Sequence, residues 1–462
     1  MAKITFYGGA GSVTGANFMF DTSGAKLLID CGTHERENIC DPANHAPFSY
    51  DVKAIDALLI THAHQDHIGR VPKLLREGFR GTVFSTPATK DISALMFDDA
   101  LKVMGDDARQ NGCDVLYEKK DVDATLSRWQ THEYHESFNI NDISVDFLDA
   151  GHILGSSMIR ICRNVGHPVS YIRDGDRKSI IFTGDLGNSP EPLLKDTESP
   201  EGAGYLVIES VYGDRVHEGR EERQEILRRA IDNARSRHGA LLIPSFSIER
   251  TQILLYEIDT MLREGKLQQI PVYLDAPLAE RITEVFRRYP NLLNPTARAQ
   301  ALKGDIFSFP GLVEVITTGH SHAIHERPDP KVIIAGAGMS SGGRIRAHEK
   351  KHLPDPKASI LFTGYQAPGS LGRRIQEGGK NVVIDGEHVP VRASIGSLTG
   401  YSGHKDRDEL LSFVESAGES LKKVFVVMGE PRASMFLAQR VRDFLGVEAV
   451  TPHAGESIEI DF

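Results

Sequence analysis

The sequence predicts an α/β protein of two domains, one of which is inserted into the other. Its 462 residues exceed the length at which a single hydrophobic core is usual. Short strands dominate the first 210 residues, whereas helical patterns then alternate with buried-type strands, as in a parallel sheet covered by helices. Short strands return near residue 380. We therefore expect residues 1–210 and 370–462 to form one domain and residues 211–369 to form the insertion.

The first strands are predicted from apolar runs between glycine-containing turns, namely KITFYGG, NFMFDT and AKLLIDCG. A further strand, ALLITHAH, precedes a helix that starts in VPKLLREGF, where Pro72 suits the first turn. Residues 88–136 have a charged and largely helical pattern. Strands return at ISVDFLDAGH, SMIRICR, SIIFTGD and YLVIES, and Asp174-Gly175 indicates a hairpin turn.

The insertion is predicted from the alternation that runs from REERQEILRRAIDNARSRHGALLIPSF to KVIIAGAG. The strands NVVIDG and VFVVMGE, together with two helices, are then expected to complete the first domain.

Composition and charge limit the function classes. No apolar run approaches the roughly 20 residues of a membrane span, and MAKITFYGG lacks the core of a secretion signal, so a cytoplasmic protein is expected. The cysteines show no CxxC spacing and are expected to be reduced thiols: Cys31, Cys40, Cys113 and Cys162. The net charge of −11 argues against a general polyanion binder. The basic stretches 341–352 and 371–380 are either solvated faces or substrate contacts.

Four potential metal ligands follow one strand in the segment THAHQDHIGR, namely His62, His64, Asp66 and His67. Neutral imidazoles and carboxylates are common zinc ligands. In an extended chain His62 and His64 project to the same side, and Asp66 and His67 follow where the chain turns toward a helix. The segment therefore predicts a metal site, against the alternative of a polar strand end.

Three other predicted strands also end in, or are closely followed by, a polar residue that could bind a metal. Asp30 ends LLIDCG, His152 follows the strand in FLDAGHILGSS, and Asp185 follows the strand in SIIFTGDLG. Each residue alone is typical of a turn or a cap. Together with the first cluster they favour one common site.

These residues resemble those of the metallo-β-lactamase fold, a four-layer αββα sandwich with a dinuclear zinc site. The second half is similar to the β-CASP branch of nucleic-acid-processing enzymes. The matching segments occur in the family order: IESVYGDR, IPSFSIERTQ, YLDAPLAERI, IIAGAGMSSGGRI, ILFTGYQAPGSLGRRI and GYSGHKDRDEL. The resemblance covers nearly the whole chain and implies a metallo-β-lactamase αββα sandwich with an inserted β-CASP α/β domain. Bacterial and archaeal ribonucleases and the eukaryotic RNA 3′-end processing endonuclease are the most similar in these motifs.

The resemblance also implies residue roles. One zinc would be held by His62, His64 and His152, and the other by Asp66 and His67, with Asp185 bridging the two. Asp30 resembles a carboxylate that orients a ligand. Glu209 matches the acidic motif that opens the inserted domain, and His404 in YSGH matches a histidine over the scissile phosphate. The implied catalytic residues are Asp66, His404, Glu209 and Asp30.

One position departs from the family pattern. RNA-cleaving members typically carry HGE near the C-terminus, with the histidine on the second metal, whereas this chain reads VVMGEP with Met428. A thioether is a weak zinc ligand, so the second site is expected to be weaker and to accept manganese. DNA-cleaving relatives also lack this histidine, which leaves single-stranded DNA open as a substrate. His453 is a remote candidate to replace the missing ligand.

The sequence therefore predicts a zinc-dependent ribonuclease that hydrolyses phosphodiester bonds of single-stranded RNA, internally or from the 5′ end, at a cleft between the two domains. A homodimer is left open. The alternatives are a single-stranded DNA nuclease of the same superfamily, a non-catalytic RNA-binding member, and a hydrolase of small thioesters or lactams. A hydrolase of small thioesters or lactams would have no use for the inserted domain.

Other motifs carry less weight. YGGAGSVTG precedes strands and not the helix that a dinucleotide loop requires. The loop GAGMSSGGR (336–344) is either a phosphate cradle or a tight turn. His320, His322 and His325 are assigned no acidic partners and are expected to be surface polar residues.

Overall fold

A computed structural model describes residues 1–34, 40–163, 178–217, 222–364, 366 and 369–462. It divides into two compact units. Unit 1 consists of Met1–Glu191, Lys195–Val216 and His404–Phe462, and unit 2 consists of Pro192–Leu194 and His217–Gly403. The predicted hairpin turn at Asp174-Gly175 lies outside the described residues.

Unit 1 contains two mixed sheets, each of seven strands within the described ranges. In spatial order the first sheet comprises β22 (Ser457–Ile460), β1 (Ala2–Gly8), β2 (Asn17–Asp21), β3 (Lys26–Ile29), β4 (Ala57–Leu59), β5 (Thr82–Ser85) and β6 (Trp129–Thr131). The second comprises β21 (Glu448–Val450), β20 (Lys423–Val426), β11 (Tyr205–Ile208), β10 (Ser179–Phe182), β9 (Ser157–Arg163), β8 (Ile143–Asp149) and β7 (Phe138–Ile140).

The two sheets of unit 1 pack face to face. Phe6 of β1 contacts Phe425 of β20 with ring centroids 5.7 Å apart, and Phe20 of β2 meets Phe182 of β10 at 6.3 Å. All four rings are buried in one apolar cluster. Full burial of each such ring stabilises the fold by roughly 1.5–3 kcal/mol, so this shared core holds the strand ends in register.

Helices lie outside both sheets. Beside the first sheet, α3 (Val71–Arg76) packs against α5 (Lys119–Ser127), and Phe97 of α4 (Pro87–Asn111) contacts Trp129 of β6. Apolar residues of α13 (Arg407–Glu415) and α14 (Pro431–Arg440) cover the second sheet. The short helices α1 (Pro42–His45) and α2 (Gln65–Ile68) lie in loops. The layers therefore follow the predicted αββα order.

Local signals explain where several of these helices begin. Pro72 occupies the first turn of α3, as predicted, where its missing N–H costs no hydrogen bond. The Thr86 side chain accepts from Thr89 N at the start of α4, and Asp406 and Glu409 form a capping box at the start of α13.

Unit 2 is the predicted α/β domain. Its parallel sheet has the order β14 (Leu312–Glu314), β13 (Val272–Asp275), β15 (Lys331–Ala335), β12 (Ala240–Pro244), β16 (Ser359–Phe362) and β19 (Ser394–Ser397). A hairpin is formed by β17 (Asn381–Ile384) and β18 (Glu387–Pro390). The helices are α6 (Arg223–Arg237), α7 (Arg250–Arg263), α8 (Pro277–Arg288), α9 (Pro295–Ala301), α10 (Thr318–Ala323), α11 (Ile345–His352) and α12 (Leu371–Gln376).

The end of the insertion differs from our expectation. We expected residue 370 to begin the return to the first domain, but unit 2 extends to Gly403. The reason is that β19 pairs in parallel with β16, which places the last sheet strand of unit 2 after the β17–β18 hairpin. The largely helical prediction for residues 88–136 also missed β6.

The expectation of four reduced cysteines is wrong. Cys40 and Cys113 form a disulfide, with Cα atoms 5.7 Å apart, a usual separation for a bridged pair. Cys31 and Cys162 are buried free thiols. Separately, none of the helices in the described part of the chain combines the length and the apolar character needed to cross a membrane.

Candidate metal centre

The first histidine cluster lies beyond the carboxyl end of β4. This strand ends at Leu59, earlier than predicted, and the chain then runs without regular structure to His64, the residue before α2. The side chains of His62 and His64 nevertheless meet, with His62 Nε2 and His64 Nδ1 3.0 Å apart. The chain therefore brings both rings to one point, as we expected from an extended conformation.

Later loops bring two more donors to this point. His152 Nε2 lies 3.2 Å from His64 Nδ1, and Asp185 Oδ2 lies 3.4 Å from His62 Nε2 and 3.6 Å from His152 Nε2. Four tetrahedral ligands at zinc–nitrogen distances of 2.0–2.1 Å are separated by about 3.3 Å. The donor set His62, His64, His152 and Asp185 thus has the spacing and chemistry that zinc requires.

Tight backbone contacts position His152 and Asp185. The His152 N–H donates to Ser156 Oγ at 3.0 Å, which closes the loop after β8. Two residues after Asp185, a Cβ on Gly187 would lie 1.9 Å from Gly151 O. Glycine is therefore required there, because the loops that carry His152 and Asp185 touch through their backbones.

A second donor set shares Asp185. His67 Nε2 lies 3.3 Å from Asp185 Oδ1 and 3.7 Å from Asp66 Oδ2. Within the described residues, His67 Nε2 and Asp185 Oδ1 are buried without a hydrogen-bond partner. An unsatisfied buried polar group costs about 1–3 kcal/mol, more if charged. A cation between Asp66, His67 and Asp185 would satisfy these atoms, so the residues fit a second metal.

Asp30 orients His67. The buried Asp30 carboxylate accepts from His67 Nδ1 at 2.7 Å, and from Thr61 N and Thr61 Oγ1 at 2.8 and 2.7 Å. Because Nδ1 donates in this bond, Nε2 is the ring nitrogen that faces Asp66 and Asp185, and it is the one that could bind a metal after losing its proton. Thr61 was not among the predicted site residues, although it directly precedes His62 and carries a hydroxyl two residues beyond β4.

The histidines of the two donor sets differ in the direction of their pKa shifts. Burial, reinforced by the neighbouring histidines, holds the pKa of His64 and of His152 well below the usual range, so both rings are neutral and can act as ligands. Burial also disfavours the charged form of His67. The carboxylates of Asp185 and Asp66 outweigh it and hold the pKa of His67 well above its usual range. Negative charge is therefore concentrated around His67, where a metal would balance it.

Glu209 and His404 lie beside the first donor set. His404 Nδ1 is 3.0 Å from Glu209 Oε1, which also accepts from Leu186 N at 2.7 Å. Glu209 is fully buried, whereas the His404 side chain is 23% exposed and can reach a substrate. Burial opposes the imidazolium form, but the Glu209 carboxylate outweighs it and raises the pKa of His404 to about 9. His404 is therefore a protonated group at neutral pH.

Met428 lies on the His67 side of the centre. Its side chain is buried in the core between the sheets, and a Cβ on Gly9 would lie 2.5 Å from its Sδ. Met428, Asp30 and His67 line a cavity of about 10 Å³, roughly the space for one water. His453 is exposed and belongs to none of the donor sets found among the described residues.

The second histidine cluster and the two basic stretches lie in unit 2. His320 and His322 are exposed as predicted, but His325 Nε2 lies 3.1 Å from His348 Nδ1, whose Nε2 is 2.7 Å from Asp275. This acidic partner was missed because it is distant in sequence. The basic stretches face carboxylates, with ion pairs Arg344–Asp275, Arg346–Asp385, Lys350–Glu387 and Arg373–Glu377.

Three family models match the chain in sequence order: a beta-lactamase superfamily domain over residues 25–210, a Beta-Casp domain over 251–375, and a Zn-dependent metallo-hydrolase RNA specificity domain over 388–452. The last includes both His404 and Met428.

Relatives match over the full chain. Ribonuclease TTHA0252 of Thermus thermophilus is 35% identical over 99% of this chain and 100% of its own length. Transcription termination factor FttA of Methanosarcina mazei is 31% identical over 96% of this chain and 70% of its own. A crystal structure of a protein of unknown function from Enterococcus faecalis has a TM-score of 0.56 at 12% identity, covering 99% of both chains, which supports the fold alone.

Proposed function

The chain belongs to the β-CASP family of metallo-β-lactamase-fold proteins, and we propose that it is a metal-dependent ribonuclease that hydrolyses RNA phosphodiester bonds with two metal ions. The observation that carries this proposal is the pair of donor sets that share Asp185. One set offers neutral imidazoles at tetrahedral spacing, and the other contains buried polar atoms without hydrogen bonds.

We assign zinc to His62, His64, His152 and Asp185, because three imidazoles and a carboxylate suit this ion. Asp66, His67 and Asp185 would hold the second ion with more oxygen character, which also suits manganese. Bound there, the two ions would supply Lewis acidity toward the phosphate oxygens and the attacking water.

The protein's own groups do the remaining work. Asp30 fixes the ring orientation of His67, and Asp66 completes the second donor set. Glu209 holds His404 in the imidazolium form with Nδ1–H directed at the carboxylate. We assign His404 the role of proton donor to the leaving sugar oxygen, because a positioned acid accelerates bond cleavage by roughly 10²–10⁴-fold.

Single-stranded RNA is the proposed substrate. The RNA specificity model covers the segment that contains His404 and Met428, and the relatives are named as a ribonuclease and a termination factor. The test compares end-labelled RNA and DNA of one sequence, with zinc or manganese, using His64→Ala as the control that should lose metal and activity. Equal or faster cleavage of the DNA contradicts the substrate assignment, and a metal-replete, active His64→Ala protein contradicts the site.

The cleavage mode, the cellular compartment and the oligomeric state are further proposals. We place the enzyme in the cytoplasm, where RNA is processed, although the Cys40–Cys113 disulfide is unusual for that compartment. Circular RNA and 5′-monophosphate RNA separate internal cleavage from 5′-exonuclease action, because only internal cleavage opens a circle. Light scattering tests the homodimer, which a monomeric mass at micromolar concentration would refute.

A further inference from the structure

Unit 1 contains a cavity lined mainly by cations at the end of α3, away from the donor sets. Its volume is about 570 Å³, and its charged lining consists of Arg76, Arg80, Lys120, Arg128 and one acidic residue, Asp121. We call this the basic pocket. A cavity of this size accommodates a nucleotide-sized group.

Backbone carbonyls hold the three guanidinium groups in place. Arg80 Nη1 donates to Phe79 O at 2.8 Å, Arg128 Nη1 donates to Arg80 O at 2.9 Å, and Arg76 Nη1 donates to Leu116 O at 3.3 Å. Each bond uses one of the five donors of a guanidinium. The remaining donors are therefore available on side chains that are already ordered.

These arginines lack the carboxylates that accompany other cations of the protein. Within the described residues, Arg76, Arg80 and Arg128 form no ion pair, whereas the basic stretches of unit 2 face carboxylates. Asp121 is buried and accepts from Glu118 N in the capping box of α5. The lining of the basic pocket thus holds four cations and one carboxylate, and Lys120 also pairs with Glu118 outside the lining, in a chain of net charge −11.

Helix capping does not account for this arrangement. The carbonyl end of one helix favours a nearby cation by about 0.3–1 kcal/mol. Three exposed guanidinium groups gathered there repel each other weakly through water, and a bound anion would replace that repulsion with attraction. Arginine pairs with phosphate in a bidentate geometry, so a phosphate-rich ligand matches the free donors.

We propose that the basic pocket binds phosphate groups of the RNA substrate as an anchoring site separate from the metal donors. This inference rests on the proposed function, which supplies RNA as the polyanion. Arg76 is the last residue of α3, and the His62–His67 cluster precedes this helix, so the basic pocket and the donor sets share no residue. The pocket adds affinity for long RNA and leaves bond cleavage itself unchanged.

The test measures RNA binding without metal, by fluorescence anisotropy of a labelled single-stranded 20-mer in EDTA. The variant is Arg76→Gln, Arg80→Gln and Arg128→Gln combined, since glutamine removes the charge and keeps a polar side chain at each exposed position. Each phosphate contact contributes about 0.7 to the slope of log affinity against log salt for single strands, so three contacts contribute about 2. Between 50 and 200 mM salt, wild type should therefore lose about 20-fold more affinity than the variant.

The matched control removes three exposed cations of unit 1 outside the pocket: Lys3→Gln, Lys102→Gln and Arg109→Gln. Equal salt slopes for the two triple variants overturn the proposal. Tighter binding of an acidic peptide than of the RNA to the wild-type protein also overturns it. If the pocket variant unfolds, Lys120→Gln serves instead, because the one ion pair of Lys120 among the described residues is with exposed Glu118. Its slope should fall by about 0.7.

Failure of the proposed function is distinguishable from failure of this inference. Cleavage of a small phosphodiester such as bis(p-nitrophenyl) phosphate reports on the metal centre and should be equal in wild type and the pocket variant. Absence of cleavage in wild type refutes the ribonuclease. An unchanged salt slope in EDTA refutes the basic pocket.

Discussion

Asp30→Asn is expected to reverse the tautomer of His67. The Asp30 carboxylate accepts from both Thr61 N and His67 Nδ1, at 2.8 and 2.7 Å. An asparagine has one acceptor oxygen, which the Thr61 backbone N–H retains, so its amide group faces His67. Nδ1 must then accept that N–H, and the ring proton moves to Nε2. His67 can no longer offer its lone pair toward Asp66 and Asp185.

The magnitude follows from the bonds lost. Replacing the charge-assisted bond to His67 costs about 1.5–3 kcal/mol. Loss of an orienting carboxylate lowers metal affinity by roughly 10–100-fold. Because the first donor set contains neither Asp30 nor His67, one ion should remain tightly bound while the second requires 10–100-fold more free metal. Metal stoichiometry by mass spectrometry after dialysis against graded free zinc measures this.

Asp275→Asn is the matched control. Asp275 is also a fully buried carboxylate that accepts from a histidine, His348, at 2.7 Å, but it lies in unit 2 outside every donor set found in the described chain. It should lower stability without changing metal content. Two tightly held ions in Asp30→Asn would refute the argument, and so would equal metal loss in both variants.

Four further outcomes are expected. His404→Gln should lower kcat by about 10²–10⁴-fold with full metal content. Glu209→Gln should lower the pKa of His404, so the alkaline limit of activity should move below about pH 9. Loss of metal in parallel with loss of activity would contradict both roles. Met428→His should tighten the second site by supplying an imidazole, and two firmly held ions in both proteins after dialysis would show that Met428 is not a missing ligand. Burial raises the pKa of Glu349 to about 8, so the folded state keeps a proton that the unfolded chain releases near pH 4.5, and stability should fall as pH rises between these values. Urea unfolding at pH 5 and 8.5 should show a larger fall in wild type than in Glu349→Gln, and identical pH profiles would contradict it.

Much of the fold could be predicted because strand and helix periods are local signals. The strands of unit 1, the Pro72 start of α3 and the start of the insertion all follow from apolar patterns and caps. The end of the insertion could not be predicted in this way. A short strand such as β19 has the same pattern in either sheet, and only its pairing with β16 assigns it to unit 2.

The site could be predicted where residue types alone restrict the chemistry. His62, His64, Asp66 and His67 are adjacent in sequence, and His152 and Asp185 end strands of one sheet. Thr61 and the Cys40–Cys113 disulfide were missed because each depends on distant partners, with a separation of 73 residues for the disulfide. The basic pocket was missed for the same reason, since its cations come from α3, α5 and the residues that follow each helix, which are distant in sequence.

The pairing of Glu209 with His404 has a consequence for synthesis. The two residues are 195 positions apart, with nearly all of unit 2 between them. At about 5–20 residues per second, a ribosome needs roughly 10–40 s to cover that stretch. All six proposed ligands emerge before Glu209, whereas His404 and the strand β20 that pairs with β11 emerge late. During this interval β11 is an open sheet edge, and the growing chain has its donor sets without its acid. His404, the proposed proton donor, is thus added only after nearly all of unit 2 has been synthesised.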